Sequence, residues 1–184
     1  ERAIKSGSGT KDGDDFEELN YEGYAPCGVA VLVSALTDNR KRTAPEVKYT
    51  FEHHGGNMGA SGSVSFMFDF RSIFVVETGE RSEDDLMEIA IEASAEDVIN
   101  NDDHFEIQCE VQEFDKVSQA LAEKNIQPDS AELVYLPGNL VPVAETGVVR
   151  QVLKLIEVLD DLDDVKAVHA NYDIDDSLLT SAEG

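Results

Sequence analysis

The sequence predicts an α/β (α+β) protein made of two ferredoxin-like βαββαβ-type domains, one inserted into the other. Three observations predict it. Short apolar runs of strand length alternate with stretches whose apolar residues recur at helical spacing. A change of composition at Ser72, reversed after Pro137, sets off a strongly acidic middle. The segments on either side of that middle spell a second set of the same elements. With 184 residues and 41% hydrophobic content, the chain can bury a core in one domain or in two small ones.

Residues 1–18 read as a linker. ERAIKSG has the form of a last helical turn meeting a glycine stop, as though the chain begins inside a longer protein, and Ser6 to Asp15 is rich in Gly, Ser and Asp without periodicity. Leu19 to Tyr24 is a short strand, Ala25-Pro26-Cys27-Gly28 a turn, and Val29 to Leu36 a buried strand. A capping box of Thr43 and Glu46 predicts the start of a helix whose Ala44, Val47, Thr50 and Phe51 face inward. Gly55-Gly56-Asn57 tolerates the positive φ needed where that helix ends. Val64 to Phe68 follows as a strand with Val64, Phe66 and Phe68 on one face.

The acidic middle, 72–137, contains a full βαββαβ set. Ile73 to Val76 is a strand; Ser82 with Asp85 opens a helix with Leu86, Ile89, Ala90 and Ala93 inward; Val98 marks a weak strand. Phe105 to Val111 alternates strictly, a helix carries Phe114, Val117 and Leu121 to about Asn125, and Ala131 to Leu136 closes the set. Beyond it, Leu140 to Val143 is a strand and Glu145 to Leu159 a helix with Val148, Val149, Val152, Leu153, Ile156 and Leu159 inward; Val165 to Tyr172 is the last strand. The expected domains are therefore 19–71 with 138–176, and 72–137 inserted between them. The acidic tail from Asp173, which includes 177–184, is expected to fray.

Charge excludes several functions. A net charge of -25 repels nucleic acid and anionic membrane from most of the surface, so any phosphate contact needs a local patch. Cys27 and Cys109 stand alone in apolar, strand-like surroundings, with neither a disulfide framework nor a CxxC pair, as in a reduced compartment. No apolar run reaches membrane-spanning length and the first residues have no apolar signal core, so membrane and export are not expected.

The candidate chemistry is sparse. His53 and His54 suit a helix C-terminus, where the last carbonyls need donors, and neither His104 nor His169 is spaced with them as a metal set. Cys27 has no base signature beside it and reads as a small buried hydrophobe. Asp160, Asp161, Asp163 and Asp164 lack the alternation and glycine of a calcium loop and read as a solvated turn. No metal, cofactor or catalytic residue is expected, and hence no enzyme.

What remains is a basic, glycine-flanked stretch. Arg40, Lys41, Arg42 and Lys48 are four of the fourteen Lys and Arg residues, whereas 72–137 holds eighteen acidic residues against Arg81, Lys116 and Lys124. The following turn, with Gly55, Gly56, Asn57, Gly59, Ser61 and Gly62, comes after a helix, whereas phosphate loops precede one. It is either a helix-to-strand connection or a small-residue edge that lets a backbone approach RNA. Together these ten residues are the candidate nucleic-acid contacts.

The stretches YEGYAPCGVAVLVSALTDNRKRT, HHGGNMGASGSVSFMF, MEIAIEASAEDV, ELVYLPGNLVPV and LIEVLDDLDDVKAVHANYDI resemble the YebC/PmpR family, which includes the mitochondrial translational activators of cytochrome c oxidase. The resemblance covers essentially the whole chain. It implies two α/β domains preceded in family members by a basic, helical N-terminal domain that this chain lacks. It implies a non-enzymatic gene-expression factor of the bacterial cytoplasm or an organelle matrix. Two modes of action are described for such proteins: ribosome-associated translation factors that relieve stalling, with rRNA as partner, and DNA-binding transcriptional regulators. The ribosome is favoured here, because one basic edge on an acidic body suits a structured RNA and protein environment better than a duplex, and no recognition helix is evident. Departures are local: Ala25-Pro26-Cys27-Gly28 stands where the family tends to Gly-Pro-Gly-Gly, and Phe70-Arg71-Ser72 where it has Arg-Lys-Gly.

Overall fold

A computed structural model describes residues 15–79 and 82–182. The expected linker before residue 15, the helix exit read in ERAIKSG, and Arg81 lie outside the described residues. The chain divides into two compact units, one running to Met67 and resuming at Asn139, the other spanning Phe68–Gly138. Both are mixed α/β with antiparallel four-stranded sheets.

The first unit opens with a hairpin, β1 (Glu17–Tyr24) against β2 (Ala30–Thr37), paired from Glu17 with Thr37 to Tyr24 with Ala30. The turn between them places Cys27 at φ 68 and Gly28 at φ 75. Cys27 is exposed, against the expectation of a buried hydrophobe, because the tight turn holds its backbone in the left-handed region and aims its side chain outward. Glycine would adopt that conformation at less cost than cysteine.

Helix α1 (Arg40–His53) starts three residues before the expected capping box, and Asn39 is its N-cap residue. The Asn39 carbonyl accepts from the amides of Arg42 and Thr43 at 3.0 and 3.2 Å, so the first turn closes without Thr43 as a cap. Thr43, Val47, Thr50 and Phe51 are buried, while Ala44 is only half-buried. At the other end His54 donates its amide to the Thr50 and Phe51 carbonyls, the role expected of a residue closing the helix. β3 (Asn57–Met58) then pairs with the end of β1.

The expected strand from Val64 to Phe68 does not form. Val64 is buried, but Ser65–Met67 make a 3-10 turn and Phe66 is 75% exposed. The reason is local: the amides of Val64 and Ser65 donate to the Glu22 carboxylate and are lost to any ladder.

In the second unit, β4 (Phe68–Glu77), α2 (Glu83–Glu92), β5 (Asp97–Asn100), β6 (His104–Glu110), α3 (Phe114–Glu123) and β7 (Ser130–Pro137) build a sheet of order β5-β6-β4-β7, antiparallel throughout. That is the ferredoxin-like order, with its two helices packed on one face through Phe74, Val76, Leu86, Ile89, Val98, Phe105, Ile107, Cys109, Val117 and Leu121. β4 runs unbroken past the composition change at Ser72, so the division between the units falls before Phe68. Ser82 and Asp85 cap α2 reciprocally, and Asn125, at φ 54, ends the turn after α3.

The chain returns to the first unit through β8 (Val141–Pro142), α4 (Thr146–Asp160), β9 (Val165–Ala170), β10 (Tyr172–Asp173) and α5 (Asp176–Ala182). Its sheet has the order β3-β1-β2-β9, while β8 pairs in parallel with β10 as a separate ribbon. The segment around Leu140 therefore contributes two residues of strand rather than four to the fold. Asn171 explains the break between β9 and β10: its buried side chain accepts from the Ala30 amide at 2.7 Å and its carbonyl from Val141 at 2.7 Å. Val29, Val31, Val33, Val47 and Phe51 pack with Val149, Val152, Leu155 and Leu159 of α4. Leu155 joins that stripe, while Val148, Leu153 and Ile156 of the expected stripe are half-buried. The tail does not fray at Asp173: α5 folds back and sets Leu178 and Leu179 against this core, because the acidic tail carries one apolar pair.

Candidate nucleic-acid interface

The candidate cations cluster at the N-terminus of α1, where helices ordinarily carry acidic residues. Its first turn is Arg40, Lys41 and Arg42 with no carboxylate, so three positive side chains meet the positive end of the helix dipole. Pro45 adds to this, since it has no amide to donate to the Lys41 carbonyl. Two of the three cations are compensated from outside the helix.

Arg42 is a structural residue. Its guanidinium donates to both oxygens of Asp164, at 2.9 and 3.0 Å, and to Asp38 at 2.9 Å. Asp164 also accepts from the Thr43 hydroxyl at 2.6 Å and lies 3.3 Å from the Thr37 hydroxyl. The Thr43 hydroxyl, with burial opposing, and then Arg42 hold the Asp164 carboxyl below its ordinary value; Asp164 and Asp38 raise that of Arg42. Asp164 thus belongs to no solvated turn: its side chain is 12% exposed and ties the end of β2 and the start of α1 to the approach to β9. Arg40 lies 3.6 Å from Glu17, and Lys48 is paired with Glu52, one turn on, at 3.8 Å on the exposed side of the helix. Lys41 has no ion-pair partner among the described residues.

The glycine-rich turn is anchored from within. Glu22, a buried carboxylate on β1, accepts from the amides of Gly62, Val64 and Ser65 at 2.7, 2.8 and 2.7 Å, and its own carbonyl accepts from Gly59. Burial pushes its carboxyl up, but those amides outweigh it and hold it below the ordinary value. The loop is thus a nest for an anion that the protein itself supplies. Gly56 is inside the fold: a Cβ there would meet the Tyr24 carbonyl at 2.4 Å. Gly62 needs its φ of 88°, and Asn57 sits in β3 beside Tyr24. Gly55 lines a different cleft, with His53 and His54.

A groove of about 830 Å³ brings a subset of the ten candidates together. Arg40, Lys41, Gly59 and Ser61 line it together with Tyr21, Met58 and the carboxylate residues Glu18 and Glu22. The Tyr21 hydroxyl is buried without a hydrogen-bond partner among the described residues, and burial raises its pKa. Arg42, Lys48, Gly55, Gly56, Asn57 and Gly62 do not line this groove. Sequence reasoning missed Glu22 and Asp164, although a lone glutamate at an alternating strand position facing a glycine-rich turn was the available signal. Among the described residues no group of three or more His, Cys, Asp and Glu converges as a metal set, and His104 is held by Asp103 and Glu106. No described helix is long and apolar enough to cross a membrane.

Comparison with known proteins places these features in a lineage. Proteins from Opitutus terrae and Hahella chejuensis, each called "Probable transcriptional regulatory protein", are 43% and 45% identical over 99% and 100% of this chain, which spans 73% and 74% of their lengths. The crystal structure of a conserved hypothetical protein from Aquifex aeolicus is 42% identical, with a TM-score of 0.81 over 95% of this chain and 72% of that one. The family described as "TACO1/YebC second and third domain" matches residues 16–172. By that match and those identities, the chain belongs to the TACO1/YebC family.

Proposed function

We propose that this chain is the body of a non-enzymatic translation factor that binds the ribosome and relieves stalling, with rRNA meeting the groove at the N-terminus of α1. One observation carries the reading. Lys41 stands without a counter-ion among the described residues at the positive end of a helix, on a groove that Gly59 and Ser61 also line. A phosphate there would complete both the side chain and the dipole, as phosphate contacts at helix starts do. Arg40, in a loose pair at 3.6 Å, can exchange Glu17 for the same ligand at small cost. Arg42, though half exposed, and the Glu22-bound amides are already committed to partners within the chain, which narrows the contact to Arg40, Lys41, Gly59 and Ser61.

The rest of the surface is acidic, so a small contact inside a large structured RNA fits better than tracking along a duplex. Ribosome co-sedimentation of the protein with Arg40→Glu and Lys41→Glu tests this. The double variant is expected to lose about tenfold or more in affinity and to reduce the salt dependence of binding. Retained affinity would remove this edge from the account. The relatives' names favour a second reading, a DNA-binding transcriptional regulator. It requires salt-sensitive retention of a promoter duplex over a scrambled one.

A further inference from the structure

The same helix that begins at the groove ends at a second cavity. α1 is fourteen residues long, which sets its two ends roughly 20 Å apart at the usual rise per residue. At its C-terminal end a cleft of about 940 Å³ opens against α4, lined by His53 of α1, by His54 just beyond it and by Arg150, Leu153, Lys154 and Glu157 from α4. Arg150 and Lys154 are one turn apart on α4. Both come from the ten basic residues outside the acidic second unit, and neither belongs to the groove.

Beside the cleft stands an aromatic pile. Tyr49, one turn before His53, stacks on it with ring centroids 5.2 Å apart and planes 16° from parallel, and His54 meets His53 edge-on at 5.3 Å. Tyr49 is 63% exposed, a large ring held by its stack on His53 rather than by a core. Lys154 is paired with Glu157 at 2.8 Å, but both side chains are more than half exposed. Such a pair yields readily to a better anion.

An exposed ring stacked on a histidine that lines the cleft, with two cations one turn apart lining the same cleft, matches the chemistry of a nucleotide: a π-face for the base and cations for the phosphate. We propose that this cleft is a nucleotide subsite for single-stranded RNA, with a base laid on the Tyr49–His53 pile and its phosphate received by Arg150 and Lys154. The site is separate from the groove and tolerant of sequence, because stacking needs only a π-face and Arg and Lys contact the backbone.

The test uses no ribosome, so its failure is distinct from failure of the translation-factor reading. Fluorescence anisotropy would follow binding of a labelled hexaadenylate RNA to the chain at several salt concentrations, with adenosine monophosphate and polyglutamate as competitors. Binding is expected to weaken about fivefold or more in Tyr49→Leu, which keeps apolar bulk and removes the ring. The salt slope is expected to fall by about 0.7 in Arg150→Gln with Lys154→Gln, one phosphate contact on a single strand. Arg40→Glu with Lys41→Glu should leave the Tyr49 effect in place. Absence of hexaadenylate binding at low salt would overturn the proposal, as would equal binding by Tyr49→Leu or full competition by polyglutamate. Competition by the mononucleotide as strong as by the hexamer would assign the cleft to a free nucleotide and also overturn it.

Discussion

Glu22 shows how one side chain decides a segment. A buried carboxylate is costly unless satisfied, and here three backbone amides of one loop satisfy it. Glu22→Gln keeps the shape but removes the charge and turns one oxygen into a donor facing amides. It is expected to destabilise the first unit by about 2 kcal/mol and to raise hydrogen exchange over residues 59–65, measured against unfolding in urea. The strand expected at Val64 to Phe68 was legible as alternation and wrong in outcome, because alternation cannot show that its amides already have a partner. By contrast, the Ser82–Asp85 capping box and the alternating Phe105, Ile107 and Cys109 were legible, since neighbours within a few residues supply everything those features need.

At the scale of the element, α1 is a helix assembled against its own propensity. Cations in its first turn and a proline at its sixth position oppose it, while Asp164, more than a hundred residues away, secures its start. That is why the sequence suggested a later, capped beginning at Thr43: the true partner of the Thr43 hydroxyl is distant in the chain. The site was legible in part for the same reason. The basic stretch can be read directly, but which cations are compensated depends on Glu17, Asp38 and Asp164.

Asp164→Asn is expected to lower stability by about 1–3 kcal/mol and to alter its pH dependence. The folded-state pKa of Asp164 is depressed, so its contribution is fully present above the unfolded value near 3.8 and is lost as pH falls through the lower folded value. The variant's stability should therefore fall less steeply than the parent's over that acid range, in urea titrations at a series of pH values. Parallel curves would exclude Asp164 as the anchor.

At the scale of the molecule, charge is divided between the two units. The second unit is a ferredoxin-like fold whose helices cover one sheet face, and the 72–137 stretch within it has eighteen acidic residues against three basic ones. The first unit holds the groove, the cleft and the helix that joins them. A chain so acidic can meet RNA only where the field is locally reversed, and the proposed contacts therefore rest on the cations beside the two ends of α1. The central claim is tested most directly by mapping crosslinks of the protein to RNA in cells. The account predicts crosslinks on ribosomal RNA through peptides containing Arg40, Lys41, Gly59 and Ser61. Crosslinks to DNA alone, or RNA crosslinks confined to the acidic second unit, would contradict it.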